Sequence, residues 1–256
     1  MSFSLKKGNN DFCELNYYNS PYIAEYYNTL SNIPPIIYTF FILKKIYNDL
    51  FLSYKEKKIY LTTYSIILFI YIGSAIFHGT LLYIGQLLDE IPMLLFNINI
   101  LYILNNFSKF ELYIHIFLKC LVLLLMFIFN ESKYPLQISY LLFNLLILKK
   151  ILIILYSLIN NVNNNVNNNV NNNVNNNVNQ ILIYNIKMTI IFYSISGILW
   201  TLDELFCDSF SKYYLHSFWH LGSYISSLYL IEFTYYFINI HHNFTLPTYY
   251  KDLKSN

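Results

Sequence analysis

The chain has 256 residues, of which 56% are hydrophobic, 20% aromatic and only 12% charged, with a formal net charge of +2. A soluble domain carries about 25% charged residues, so roughly half of the usual solvating charge is missing, which excludes a disordered chain, a basic nucleic-acid-binding module and an ordinary soluble enzyme. Six scattered glycines exclude a Gly-rich phosphate loop as well. The composition predicts an all-α membrane protein, one polytopic integral-membrane domain over residues 1–256.

The opening ten residues contain Lys6 and Lys7 but no apolar stretch, so no cleaved signal peptide is expected. A membrane-crossing helix needs about 20 mostly apolar residues, because the hydrocarbon core is about 30 Å thick and each helical residue rises about 1.5 Å. Seven windows answer to this, at residues 23–43, 59–82, 89–104, 112–129, 134–159, 181–202 and 216–240. They predict a seven-helix transmembrane bundle. Residues 160–180 belong to no window; they are an Asn-rich tract with Val162, Val166, Val170, Val174 and Val178 in a four-residue repeat. With no charge and nothing to bury, the tract is expected to be a disordered, cytosolic loop insertion.

Lysines in the short loops set the orientation. Lys44, Lys45, Lys55, Lys57, Lys58, Lys109, Lys149, Lys150, Lys251 and Lys254 fall on one side. Lys6, Lys7, Lys133 and Lys212 fall on the other, beside Asp11, Glu14, Asp89, Glu90, Asp203, Glu204 and Asp208. The N-terminus should therefore be luminal and the C-terminus cytosolic.

Polar groups inside such spans cost about 2.5–3.5 kcal/mol on insertion scales and need a reason. Ser74 and His78 lie four residues apart near the outer end of the second window, on one helix face. His216 and His220 repeat that spacing at the start of the seventh, and Asp89 begins the third. The topology puts all five at one depth. Three His with an open fourth position make the ligand set of a catalytic zinc site, inside the bundle near its luminal end. Each residue also has an ordinary reading. An intramembrane His can simply hydrogen-bond between helices, Ser74 can bond the carbonyl four residues back, and Asp89 can sit at a helix N-terminus. Asp11, Glu14, Asn16 and Glu25 offer hard oxygens of the kind calcium takes, without EF-hand spacing; a solvated acidic segment is the plainer alternative.

Four blocks together carry a resemblance. Residues 11–17 (Asp-Phe-Cys-Glu-Leu-Asn-Tyr) with residues 22–32, Gly73 to His78 with residues 86–90, Trp200 with Asp203, and Phe206-Cys207 with His216-Ser217-Phe218-Trp219-His220 resemble, in order and placement, the motifs of the alkaline ceramidases. That family belongs to the seven-helix membrane hydrolases that include adiponectin-receptor-like proteins. The resemblance implies an amide hydrolase that splits ceramide into a sphingoid base and a fatty acid. It implies zinc on His78, His216 and His220, with Ser74 and Asp89 completing the catalytic site. It also implies calcium on Asp11, Phe12 (through its carbonyl), Glu14, Asn16 and Glu25. Phe12 stands where the family usually has Trp, the loop from Cys207 to His216 is short, and the Asn tract is not a family feature.

The implied chemistry is zinc activation of a water, with Asp89 as general base and Ser74 bonding the water or the developing oxyanion. The expected partners are a ceramide-type lipid and the bilayer, with no nucleic acid, in the endoplasmic reticulum or Golgi. Two alternatives stay open: a related hydrolase or remodelling enzyme acting on another lipid, and a non-enzymatic receptor-like protein with structural zinc. Cys13 and Cys207 both fall on the luminal side, where disulfides persist, and Cys120 lies within a span; Cys13 and Cys207 are therefore expected to be bridged.

Overall fold

The computed structural model describes residues 6–10, 12–105, 108–128, 132, 134–167 and 173–242. Within these, nine α-helices run in chain order: α1 Tyr26–Leu30, α2 Ile33–Asn48, α3 Tyr54–Thr80, α4 Tyr83–Leu104, α5 Lys109–Ile128, α6 Tyr134–Asn167, α7 Asn173–Leu205, α8 Cys207–Phe210 and α9 Leu215–His242. No strand longer than a single bridge occurs among the described residues, that bridge pairing Lys7 with Leu82. Six of the seven apolar windows fall on helices of 20 residues or more, and the second half of the first falls on α2. Four described helical segments are long and apolar enough to cross a membrane, at Tyr54–Thr80, Tyr83–Leu104, Gln137–Ser157 and Asn179–Leu205. α2 is short for a crossing at 16 residues. α9 has the length, but Ser, Thr, Tyr and His dilute its apolar character.

Local sequence explains several helix ends. Ser53 and Glu56 form a reciprocal capping box at the start of α3, each side chain taking the other's backbone N–H. Prolines enter the first turn of α2, where a missing N–H costs nothing. Leu81, at φ 52°, turns the chain sharply out of α3, and only Leu82 separates it from α4.

Two expectations shift here. The first window divides into α1 and α2, hinged at Ser31 and Asn32. The Asn tract is partly helical rather than wholly loop, since α6 continues to Asn167 and α7 begins at Asn173. Extending a formed helix adds a hydrogen bond per residue without a new nucleus, which offsets the poor propensity of Asn.

Small residues bring the helices together. A Cβ on Gly73 of α3 would stand 2.1 Å from the Leu88 carbonyl oxygen of α4, and one on Gly222 of α9 would stand 2.3 Å from Ser196 Oγ of α7. Such close backbone approach is how helices associate where no hydrophobic effect operates between them. The main core, with Tyr60, Tyr64, Ile67, Ile100, Phe233 and Tyr235 at its centre, is distinct from a small cluster of Ala24, Phe77 and Leu81. Phe12 packs on that small cluster, which marks the functional end. Outward-facing Phe40, Phe41, Phe69, Leu141 and Ile198 form an exposed apolar surface suited to lipid.

The N-terminal segment crosses this end as a strap. Gly8 N–H donates to Leu81 O at 2.8 Å, Tyr83 N–H to Lys6 O at 2.7 Å, and Glu25 N–H to His78 O at 2.9 Å.

Candidate metal centre

Two helices from distant parts of the chain deliver three imidazoles to one place. His78 sits in the last turn of α3, and His216 and His220 in the first turns of α9. All three are buried, their rings form a near-equilateral triangle with centroid separations of 5.0, 4.8 and 4.7 Å, and one ring nitrogen from each lies within 4.8 Å of the others. Phe12 lies against the triangle, 3.8 Å from the His216 ring and 5.0 Å from the His78 ring, and Trp219 lies 4.8 Å from the His216 ring.

Hydrogen bonds outside the triangle set which nitrogen faces in. His78 Nδ1 is 2.5 Å from Glu25 Oε2, and a carboxylate accepts, so Nδ1 carries the proton and Nε2 keeps its lone pair. Ser31 Oγ is 2.7 Å from His220 Nδ1 and donates its own proton to Asn28 O at 2.8 Å. It therefore accepts from Nδ1, and His220 Nε2 also faces the triangle as an acceptor, with Ser74 Oγ at 3.3 Å. His78 Nε2 and both nitrogens of His216 are buried without a hydrogen-bond partner among the described residues. Leaving such groups unsatisfied costs about 1–3 kcal/mol each. Two imidazoles whose inward nitrogens are acceptors, beside a His216 ring with both nitrogens unpartnered, fit a metal ion.

Ser74 and Asp89 occupy the same end. Ser74 bonds His220 rather than the carbonyl four residues back. Asp89 is not at a helix start, because α4 begins at Tyr83 and Asp89 is its seventh residue, buried in the bundle. Ser74, Asp89 and His220 line a cavity of about 200 Å³ that runs between α3, α4, α6, α7 and α9 along Ile67, Ile147 and Leu230. A second cavity, of about 670 Å³, is lined by Phe12, Asp89, Glu90, His216, Trp200 and Trp219. Asp89 and Trp219 border both.

The residues expected to hold calcium are placed as follows among the described ones. Asp11 lies outside them. Asn16 is exposed on the strap, and Phe12 brings its ring to the imidazoles. Glu14 caps α1, accepting from Tyr27 N–H at 2.8 Å and Asn28 N–H at 2.9 Å. Burial holds its carboxyl above the usual value, opposed by those two amides and reinforced by the charge of Glu25. Glu25 serves His78 and Asn28 Nδ2. The only potential metal group of three or more such side chains among the described residues is the imidazole triangle.

Cys13 and Cys207 form a disulfide. Asp203 in α7 stands beside it, accepting from Cys13 N–H at 3.4 Å and from the backbone N–H of His216, and so ties the strap to the start of α9. Sequence reasoning assigned no role to Asn28, Ser31, Asn32 or Ser217. Asn28 is fully buried and joins Glu14, Glu25 and Ser217, whose Oγ donates to Asn28 Oδ1 at 2.9 Å. Asn28, Ser31 and Asn32 sit at i, i+3 and i+4, one polar face of the entry segment, which was the available signal.

Residues 6–252 match the family model described as Ceramidase. Alkaline ceramidase 1 of Mus musculus is 26% identical over 234 residues, 86% of this chain and 76% of its own length. Alkaline ceramidase 1 of Homo sapiens is 40% identical over 94 residues, 36% of this chain and 34% of its own length. An alkaline ceramidase of Saccharomyces cerevisiae is 46% identical over 87 residues, 33% of this chain and 25% of its own length. The match thus spans about a third or less of the human and yeast relatives and about three quarters of the mouse one.

Proposed function

The chain belongs to the ceramidase family, and from that premise we propose that it is a zinc-dependent hydrolase of the ceramide amide bond. The observation that carries this is the buried imidazole triangle with unpartnered ring nitrogens, opening beside Ser74 and Asp89 onto cavities able to take lipid chains. His78, His216 and His220 would hold the ion. A zinc ion bound there supplies Lewis-acid polarisation of oxygen, so that water reacts near neutral pH.

The chain's own groups do the rest. Asp89, at the junction of the cavities, takes the proton of the attacking water and returns it to the amide nitrogen as the C–N bond breaks, giving a fatty acid and a free amine. Ser74 Oγ–H turns from His220 towards the oxygen of the amide carbonyl, where negative charge develops. Phe12 and Trp219 wall the imidazoles from bulk water. The two cavities take the hydrocarbon chains, each buried methylene contributing about 0.8 kcal/mol. No step is assigned to calcium.

We place the protein across the membrane with seven helices, the four long apolar ones joined by α2, α5 and α9, and with the strap on the luminal side of the endoplasmic reticulum or Golgi. The disulfide supports that side, since it requires an oxidising compartment.

The reading is tested on the detergent-purified full chain with labelled ceramide and a phospholipid control. Ceramide turnover is expected, with Asp89→Asn losing at least about 100-fold in kcat while keeping its metal. Turnover of the phospholipid alone would move the activity to another lipid. Wild-type protein that carries metal and hydrolyses neither would make the centre structural.

A further inference from the structure

Glu90 is a buried carboxylate that the reaction above does not use. It follows Asp89 in α4, is 5% exposed, and borders the same 670 Å³ cavity. Its two oxygens are treated differently. Oε1 accepts from Gln86 Nε2 at 2.9 Å and from Asn10 Nδ2 at 3.0 Å, which fills both lone pairs. Oε2 is buried and has no hydrogen-bond partner among the described residues. Gln86 is itself fixed, its Oε1 accepting from Asn9 N–H at 2.7 Å, so strap and helix together hold the carboxylate in one pose. Buried acceptors in folded proteins nearly always find a donor. One that is braced on one oxygen, unpartnered on the other and part of a cavity wall can take a donor that arrives with the ligand and reaches it by a small shift of the wall.

We propose that Glu90 is a specificity-determining residue whose Oε2 accepts a hydrogen bond from a hydroxyl on a carbon adjacent to the amide-bearing carbon of the lipid. The inference rests on the hydrolase reading above. Successive side chains on a helix diverge by about 100°, so Asp89 and Glu90 address different atoms of one substrate. Asp89 serves the scissile nitrogen, and the remaining donors near that nitrogen are the flanking hydroxyls, the hydrocarbon chains having none.

The experiment compares three substrates on the purified full chain: ceramide, an analogue lacking the primary hydroxyl, and an analogue lacking the secondary hydroxyl. Wild type is expected to lose roughly 10- to 100-fold in kcat/KM on at least one analogue, the effect of a lost hydrogen bond to a charged group. In Glu90→Gln the amide oxygen stays with Gln86 and Asn10 and a donor NH₂ stands in place of Oε2. That variant should keep at most the weaker, neutral bond in which its NH₂ donates to the hydroxyl, so its preference against the same analogue should fall by about threefold or more. The ratio within one preparation cancels differences in active fraction. Gln86→Ala, which removes one brace and leaves the carboxylate, should weaken the preference by about threefold or more. A wild type indifferent to both hydroxyls, or a preference unchanged in both variants, overturns the assignment. A wild type that hydrolyses no ceramide at all overturns the function first and the role of Glu90 with it.

Discussion

His78 and His220 illustrate what a side chain's outer hydrogen bond does. Each has one nitrogen held from outside, by Glu25 and by Ser31, and this leaves the other nitrogen pointing inward as a lone pair. Outer partners of this kind are worth about 10- to 100-fold in metal affinity. Glu25→Gln and Ser31→Ala should each weaken zinc binding by about that factor in a chelator competition, with the helical content unchanged. Affinities equal to wild type would show that the triangle orients itself. The imidazoles were legible in the sequence, because His within an apolar span is costly and the i, i+4 spacing is visible. Their supporters were not. Asn28, Ser31 and Asn32 look like ordinary helix-entry polar residues until the fold turns their shared face onto α9. Glu25 was legible as a hard oxygen but not as the partner of His78, since a carboxylate in sequence does not disclose which partner folding brings to it.

The hairpin of α3 and α4 is the element on which the chemistry depends. Gly73 precedes Ser74, and the carbonyl it would strike belongs to Leu88, which precedes Asp89. The close approach therefore brings Ser74 and Asp89 together. Gly73→Ala should push the helices apart and cost about 1–3 kcal/mol by overpacking. It should be read as a lower unfolding temperature together with a fall in kcat that exceeds any loss of bound metal. Gly197→Ala is the control, because nothing stands within 4 Å of its added Cβ. A Gly73 variant as stable and active as that control would contradict this view of the hairpin. Apolar windows located every long helix but not its ends. Capping by Ser53 and Glu56, and the left-handed turn at Leu81, depend on backbone geometry that hydropathy does not record. For that reason Asp89 was expected at a helix start, whereas α4 begins six residues earlier.

On the scale of the whole molecule, the strap and the disulfide close one end of the bundle over the imidazoles. The Cys13–Cys207 bond joins positions 194 residues apart, so it restricts a very long loop in the unfolded chain. Its loss should cost about 2–5 kcal/mol. Reductant is expected to lower the unfolding temperature of the wild type and to leave that of the Cys13→Ser, Cys207→Ser double variant unchanged; equal behaviour of the two would mean the strap is held by its backbone hydrogen bonds alone. Pairing, membrane character and the seven long helices were all legible, because charge depletion, lysine distribution and apolar runs are properties of the chain as a string. The cavities were not, since they arise from the way α3, α4, α6, α7 and α9 lean on one another. The account as a whole stands on the triangle holding an ion that the reaction requires. Metal analysis and ceramide turnover on a single detergent preparation, with His220→Ala beside it, measure this directly. The expected result is about one zinc per chain in the wild type with chelator-sensitive hydrolysis, both lost in the variant. Wild-type protein that turns over ceramide with no bound metal, or a His220→Ala variant that keeps both metal and turnover, would contradict it.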